Sequence, residues 1–265
     1  MMGGSVLAAG CATIAAMAID HCPGRDGPRW CHADVELRDF AIVTWDVEPV
    51  RLSSLLPAGF APDVRADRSM VSLVAFRDHR FHFRAAPFAW MSCGQVNYRA
   101  YVRHGDRTGV WFFGFSLDSR LVVIPQTLWK MPWHRTEIEV TREPDGASRP
   151  RWELRAAGRW GTAEVSLRPS GRSLRPPAGF DGDQDASAVL FDPFVGWYAR
   201  RDGSGLGEYR VWHEPLKLEH ADVDAATPTV FRDLGLVDAD QPPSSAGLQR
   251  SVRFDVYTPP RRLAR

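Results

Sequence analysis

Short runs rich in Val, Ile, Leu and Phe recur along most of the chain, separated by Gly, Pro and Asp, which is the pattern of strands joined by turns. Residues 40–45 and 69–76 predict two strands. Between them, residues 50–56 predict a short helix stopped by Pro57, and Pro57-Ala58-Gly59 and residues 63–68 predict turns. The strongest β signal lies in the middle. Residues 95–102 and 109–117 flank His104-Gly105-Asp106-Arg107, a hairpin connection. Residues 137–142 and 151–156 flank Pro144-Asp145-Gly146, and 160–168 form a third run after Ala157-Gly158. Polar, Gly- and Pro-rich residues 169–185 break the pattern. In 186–201, Val189, Leu190, Phe194, Trp197 and Tyr198 stand at helical spacing interrupted by Pro193, which predicts a helix. Residues 207–218 return to strand, 222–234 hold one short helix, and 250–257 form the last strand. Many strands, few helices and no strand–helix alternation predict a mainly β (α+β) fold, an antiparallel barrel or sandwich with helices outside it.

One run differs from the rest. In residues 95–102, Val96, Tyr98, Ala100 and Val102 share one face, while Gln95, Asn97, Arg99 and Tyr101 share the other. The polar face is either an exterior wetted by solvent or a stripe lining the inside of a barrel.

Composition narrows the chemistry. The 265 residues are 44% hydrophobic and 25% charged, enough for a sizeable core and too apolar for a disordered chain. A net charge of +1 gives no electrostatic reason to expect nucleic acid or a membrane as partner. Of 33 basic residues only Lys130 and Lys217 are lysines, so an amine nucleophile has two side-chain candidates. Cys11, Cys22, Cys31 and Cys93 lack zinc-site spacing. Cys22, Cys31 and His32 are the one conceivable ligand group, and reduced thiols with no metal site are the preferred expectation. His79 and His82 fall on opposite faces of an extended run and are not expected to share a metal. Residues 3–19 are uncharged and Ala/Gly-rich, without the basic start of a signal peptide and short of the roughly 20 residues of a membrane span. They are expected to form an arm packed on the domain, with arm and loop over 1–34, a single domain over 35–265, and a cytoplasmic location.

The stripe also carries a resemblance. Gln95-Val-Asn97-Tyr-Arg99-Ala-Tyr101-Val, followed by Gly109-Val-Trp-Phe-Phe and Ser116-Leu117-Asp118, resembles the central motif of the uncharacterised YqjF-like (DUF2071) family. That family belongs to the acetoacetate decarboxylase-like superfamily. Leu55-Leu56-Pro57-Ala58-Gly59-Phe60, Met131-Pro132-Trp133, Val211-Trp212-His213-Glu214-Pro215 and the closing stretch 252–259 agree in order. The resemblance runs from about Val35 to Pro260 and implies an antiparallel β-barrel or cone around a central cavity, with the polar stripe facing inward and a few peripheral helices.

Two departures bear on activity. Acetoacetate decarboxylases use a buried lysine as Schiff-base nucleophile, and Trp133 stands where the resemblance places it. Lys130 lies three residues earlier, which would put it on the opposite face of an extended segment, and Lys217 follows His213 on what reads as the same strand. Gln95 replaces the family's glutamate and can hydrogen-bond but not exchange a proton. What the resemblance leaves is a cofactor-independent lyase- or isomerase-type enzyme for a small carbonyl-bearing or aromatic metabolite, in keeping with specialised metabolism. Dehydration, cyclisation, isomerisation and decarboxylation through an enol-like intermediate all remain open. Arg99 would clamp a carboxylate or enolate, Tyr101 and Gln95 would steady an oxyanion, and His213 would move the proton. Asn97, Trp133, Trp111, Glu214, His134 and Lys130 are the candidate substrate contacts. The alternative is a non-catalytic barrel holding a small ligand. The expected partner is a small-molecule substrate, and homo-oligomers are left open.

Overall fold

A computed structural model describes residues 25, 27, 29–144, 146, 150–174 and 177–263. The arm expected over residues 3–19, and Cys11 and Cys22 with it, lie outside the described residues; Cys31 and Cys93 are free thiols. Among the described residues the strands are β1 (Ala33–Val47), β2 (Phe60–Pro62), β3 (Ser69–Phe83), β4 (Met91–His104), β5 (Arg107–Leu117) and β6 (Trp133–Arg142). They continue with β7 (Trp152–Gly158), β8 (Gly161–Ser173), β9 (Val195–Ala199), β10 (Leu206–His213), β11 (Glu219–Pro228) and β12 (Ser245–Arg262). The helices are short: α1 (Pro49–Ser53), α2 (Val123–Leu128), α3 (Asp183–Ala186), which runs on as a π turn over Ser187–Phe191, and α4 (Thr229–Asp233). No helix among the described residues is long and apolar enough to cross a membrane.

All twelve strands belong to one sheet, antiparallel except that β5 runs parallel to both β6 and β9. Three strands each have three partners: β4 pairs with β2, β3 and β5; β5 with β4, β6 and β9; and β12 with β1, β10 and β11. The sheet therefore closes on itself twice, by three paths from β12 to β5: through β1, β3 and β4; through β10 and β9; or through β11, β8, β7 and β6. The first path is a partition buried on both faces. One face, with Trp45, Leu73, Tyr98 and Ala100, packs against Trp152, Leu154 and Val165 of β7 and β8 and Phe231 of α4. The other, with Phe40, Val74, Phe76 and Tyr101, looks toward Tyr198, Tyr209 and Val211 of β9 and β10. A strand buried on both faces has no need of polar alternation, which is why residues 40–45 and 69–76 read as continuous apolar runs. In β1 a register shift at Asp39, whose φ is +51°, keeps Val35 and Leu37 on the same face as Phe40 and Ile42.

Two expectations are corrected. Residues 186–201 do not form one helix: the π turn ends at Phe191, Pro193 stops it, and Trp197 and Tyr198 belong to β9, pointing to opposite cores. The strand expected over 207–218 stops at His213, so Lys217 is an exposed residue of the following connection. The one short helix expected within 222–234 is present as α4, after β11. The hairpin between β4 and β5 forms as predicted, with Gly105 at φ +62° in its two-residue turn.

Candidate functional site

The side of the partition that faces β9 and β10 is not completely filled. A cavity of about 150 Å³ lies there, bounded by strands β1, β3, β4, β5, β9, β10 and β12 and the start of β6, with Leu121, Ile124 and Pro125 of the turn and α2 at its exposed side. Its walls are mainly apolar, with Phe40, Phe76, Phe112, Phe115, Trp133 and Phe254 prominent. Against them β4 contributes Cys93, Gln95, Asn97 and Arg99, successive residues of one face. The inward reading of the stripe is thus the one found, and all four side chains are buried.

Each polar side chain has a defined role in the stripe. Gln95 Nε2 donates to Asn97 Oδ1 at 2.7 Å, which holds both amides and leaves the Gln95 carbonyl oxygen and the Asn97 amide hydrogens for a ligand. Arg99 Nη2 donates to the Leu190 carbonyl at 2.8 Å, while its buried Nε has no acceptor. Trp133, from β6, is in the same position: its ring packs on Phe115 and its buried Nε1–H has no acceptor. Tyr101 does not line the cavity. It is fully buried behind Arg99, its hydroxyl donating to the Leu190 carbonyl at 3.0 Å and joined to Ser72 Oγ at 2.7 Å, with its ring 5.5 Å from the guanidinium carbon.

His213, the last residue of β10, lines the cavity between the rings of Phe254 and Phe194. Its Nδ1 is 2.8 Å from the Glu214 carbonyl oxygen. A carbonyl can only accept, so Nδ1 carries the proton and the lone pair of the neutral ring is on Nε2. Burial pushes this imidazole below its ordinary range, and Arg99 adds to the effect. Asp192 Oδ1 lies 3.6 Å from Nδ1. Burial pushes the Asp192 carboxyl up, against the hydrogen bonds it accepts from Ser187 Oγ at 2.5 Å and from the Leu216 amide at 3.0 Å.

A second polar group stands on β3. Asp78 is buried in the cavity wall, where its one side-chain hydrogen bond comes from the Cys93 thiol at 3.5 Å. Burial pushes its carboxyl up to about 7. Burial and the nearness of Asp78 also push up the phenol of Tyr209, on the facing wall.

Of the residues singled out from sequence, Gln95, Asn97, Arg99, Trp133 and His213 meet at this cavity. Trp111 does not, because it points from β5 into the opposite core against Phe60. Glu214 is exposed and contributes only its carbonyl oxygen. His134 follows Trp133 on β6 and so faces away, its ring edge-on to Trp160. Lys130 sits in the bend between α2 and β6 at φ +55°, half-buried and outside the lining, as Lys217 is. Asp78, Asp192, Cys93 and Tyr209 escaped sequence reasoning. Only Cys93 carried a signal, since it continues the alternation of Gln95, Asn97 and Arg99 one step earlier.

The DUF2071 family model, described as an uncharacterized conserved protein, matches residues 34–251. The chain belongs to DUF2071. No curated protein matches it. Among solved structures, this DUF2071 protein is similar to an acetoacetate decarboxylase-like enzyme from Sphingomonas wittichii RW1, at 16% identity and a TM-score of 0.60 over 89% of this chain and 94% of that one. It is also similar to the enduracididine biosynthesis enzyme MppR complexed with pyruvate, at 14% identity and TM-score 0.61 over 88% of this chain and 90% of that one. Acetoacetate decarboxylase from Legionella pneumophila matches at 11% identity and TM-score 0.56 over 91% of this chain and 93% of that one. At such identities the likeness is one of fold: this DUF2071 chain has the acetoacetate decarboxylase-like β-rich architecture.

Proposed function

We propose that this protein is a cofactor-independent enzyme acting on a small carbonyl-bearing acid through an enol-like intermediate. The observation that carries the reading is a pair of buried donors, Arg99 Nε and Trp133 Nε1, that lack acceptors and belong to residues lining one cavity. Leaving such groups unpaired costs roughly 1–3 kcal/mol each, and a ligand rich in acceptor oxygens removes that cost. A carboxylate would take the side of the guanidinium, as Arg–carboxylate pairs do. A carbonyl oxygen would accept from Trp133 or the Asn97 amide. His213 Nε2 would take the proton from the carbon beside that carbonyl, and the charge that develops on oxygen would fall on donors already in place.

Neither Lys130 nor Lys217 lines the cavity, which favours lyase- or isomerase-type chemistry without a Schiff base. MppR, a protein of the same architecture, is described in complex with pyruvate, itself a small carbonyl-bearing acid. The reading is tested by following 2-oxo, 3-oxo and 3-hydroxy acids by NMR with wild type, Arg99→Gln and His213→Gln. Turnover by wild type, with a loss of about 100-fold or more in each variant, supports it; a panel left intact by wild type removes it for these substrates. Borohydride reduction in the presence of the turned-over ketone should leave the protein mass unchanged, and an adduct on Lys130 would restore the amine route. A second reading, a ligand-binding barrel without turnover, draws on the apolar wall and predicts binding with no change to the ligand.

A further inference from the structure

The distribution of polar and apolar groups around the cavity says more about the ligand than its head group. Among the described residues Arg99 is the one arginine or lysine of the lining, while the two exposed residues of the lining are apolar, Leu121 and Ile124 at 46% and 40%, which sets the mouth on the turn and helix that follow β5. Ser119 sets that turn by accepting the Leu121 amide at 3.2 Å, so the two apolar side chains are presented at the opening by a capped segment. Val123 and Leu128 of α2 are also exposed, at 53% and 66%, which continues the apolar surface outward. A cavity made for acetoacetate or pyruvate would not need this wall. Its volume of about 150 Å³ is that of an apolar cavity that holds a benzene-sized group.

We infer that the ligand is a carboxylic acid carrying an apolar chain or aromatic group of about six carbons, with its head at Arg99 and its tail at the mouth beside α2. The inference rests on the carboxylate role of Arg99 proposed above and adds the substrate class. A polar or doubly charged acid would leave the phenyl and indole surfaces wet and its second charge unpaired in an apolar wall. An apolar tail instead gains from every methylene buried.

The test is calorimetry with butanoate, hexanoate, octanoate and octan-1-ol against wild type, Arg99→Gln and the double variant Leu121→Ser/Ile124→Ser, whose two sites are exposed. Affinity should rise about fourfold per added methylene. Octanoate should bind at least tenfold more tightly than octanol, and Arg99→Gln should abolish that margin. The double variant should weaken octanoate at least threefold and leave butanoate unchanged. Equal affinity across the acids, or an octanoate affinity untouched by the double variant, overturns the apolar tail while leaving Arg99 its head-group role. Acids that bind no better than octanol overturn that role, and with it the assignment of the head.

Discussion

Asp192 Oδ1 stands 3.6 Å from His213 Nδ1, both side chains are buried, and yet the proton on that nitrogen is directed at the Glu214 carbonyl 2.8 Å away. The carboxylate therefore acts on the imidazole mainly through its charge. Burial lowers the affinity of His213 for a second proton, and the neighbouring Asp192 works against that. Replacing Asp192 with Asn removes the charge and keeps an acceptor for the Leu216 amide. His213 should then titrate at a lower pH than in wild type, observed by ¹H–¹⁵N NMR of the ring nitrogens. Asp192→Ala loses the acceptor of both Leu216 N–H and the Ser187 hydroxyl. It should cost roughly 1–3 kcal/mol, or several degrees of Tm. If Asn and Ala lower Tm equally, Asp192 is there for packing alone.

Arg99 offers a sharper separation of stability from function. Its guanidinium is buried, no carboxylate is within ion-pair distance among the described residues, and one of its donors is unsatisfied. The Leu190 carbonyl that it binds also accepts from Tyr101. Arg99→Met should therefore leave Tm within about 2 °C of wild type or raise it, because an unpaired buried charge is exchanged for an apolar side chain of similar length. The same variant should lose carboxylate binding by about 10- to 100-fold, the worth of a charge-assisted hydrogen bond. A large fall in Tm would mean that Arg99 is a structural element, and the site reading would go with it.

The legibility of the chain depended on what each strand faces. The alternation of β4 was readable because one face meets a filled core and the other a cavity with polar groups, so period two survives in the sequence. In β1 and β3 both faces are apolar, so the strands were evident but their faces were not. The stretch 186–201 misled because Trp197 and Tyr198, on opposite sides of β9, combine with the π turn before Pro193 to imitate a helical spacing. Asp78 stands in Asp78-His79-Arg80, which reads as a wetted charge run, and Asp192 stands between Phe191 and Pro193. Nothing local marks either as buried; that depends on strands from distant parts of the chain closing over them. The orphan donors of Arg99 and Trp133 are likewise properties of packing and have no sequence signal.

Gly196 is where the cavity wall tolerates no side chain. It lies in β9 beside β5, and a Cβ there would come within 2.1 Å of Phe112 Cε2, a ring that lines the cavity. Gly196→Ala must push that ring inward or separate the strands. A cost of roughly 1–3 kcal/mol is expected from overpacking. Calorimetry should show butanoate and octanoate losing affinity alike, because Phe112 is the cross-strand partner of Arg99 and its displaced ring crowds the head group both acids share. A loss confined to octanoate would place Phe112 beside the tail instead.

Asp78 gives the pH dependence. Its carboxyl is pushed up to about 7 by burial, with the Cys93 thiol opposing the shift and Asp118 adding to it, while Tyr209 faces it across the cavity. In the unfolded chain the same group ionises near 4. Below that pH both states hold the proton and the contribution to stability is fully present. Between about 4 and 7 the unfolded state releases the proton and the folded state keeps it, so stability falls as pH rises, by a few kcal/mol in all. Asn cannot ionise and escapes this loss. The difference in Tm between Asp78→Asn and wild type should therefore move in favour of the variant from pH 5 to pH 8, by several degrees in thermal scans, and level off above about 8. A difference that stays flat over this range would show Asp78 ionising at an ordinary carboxylate pH, solvated and not held in the cavity wall.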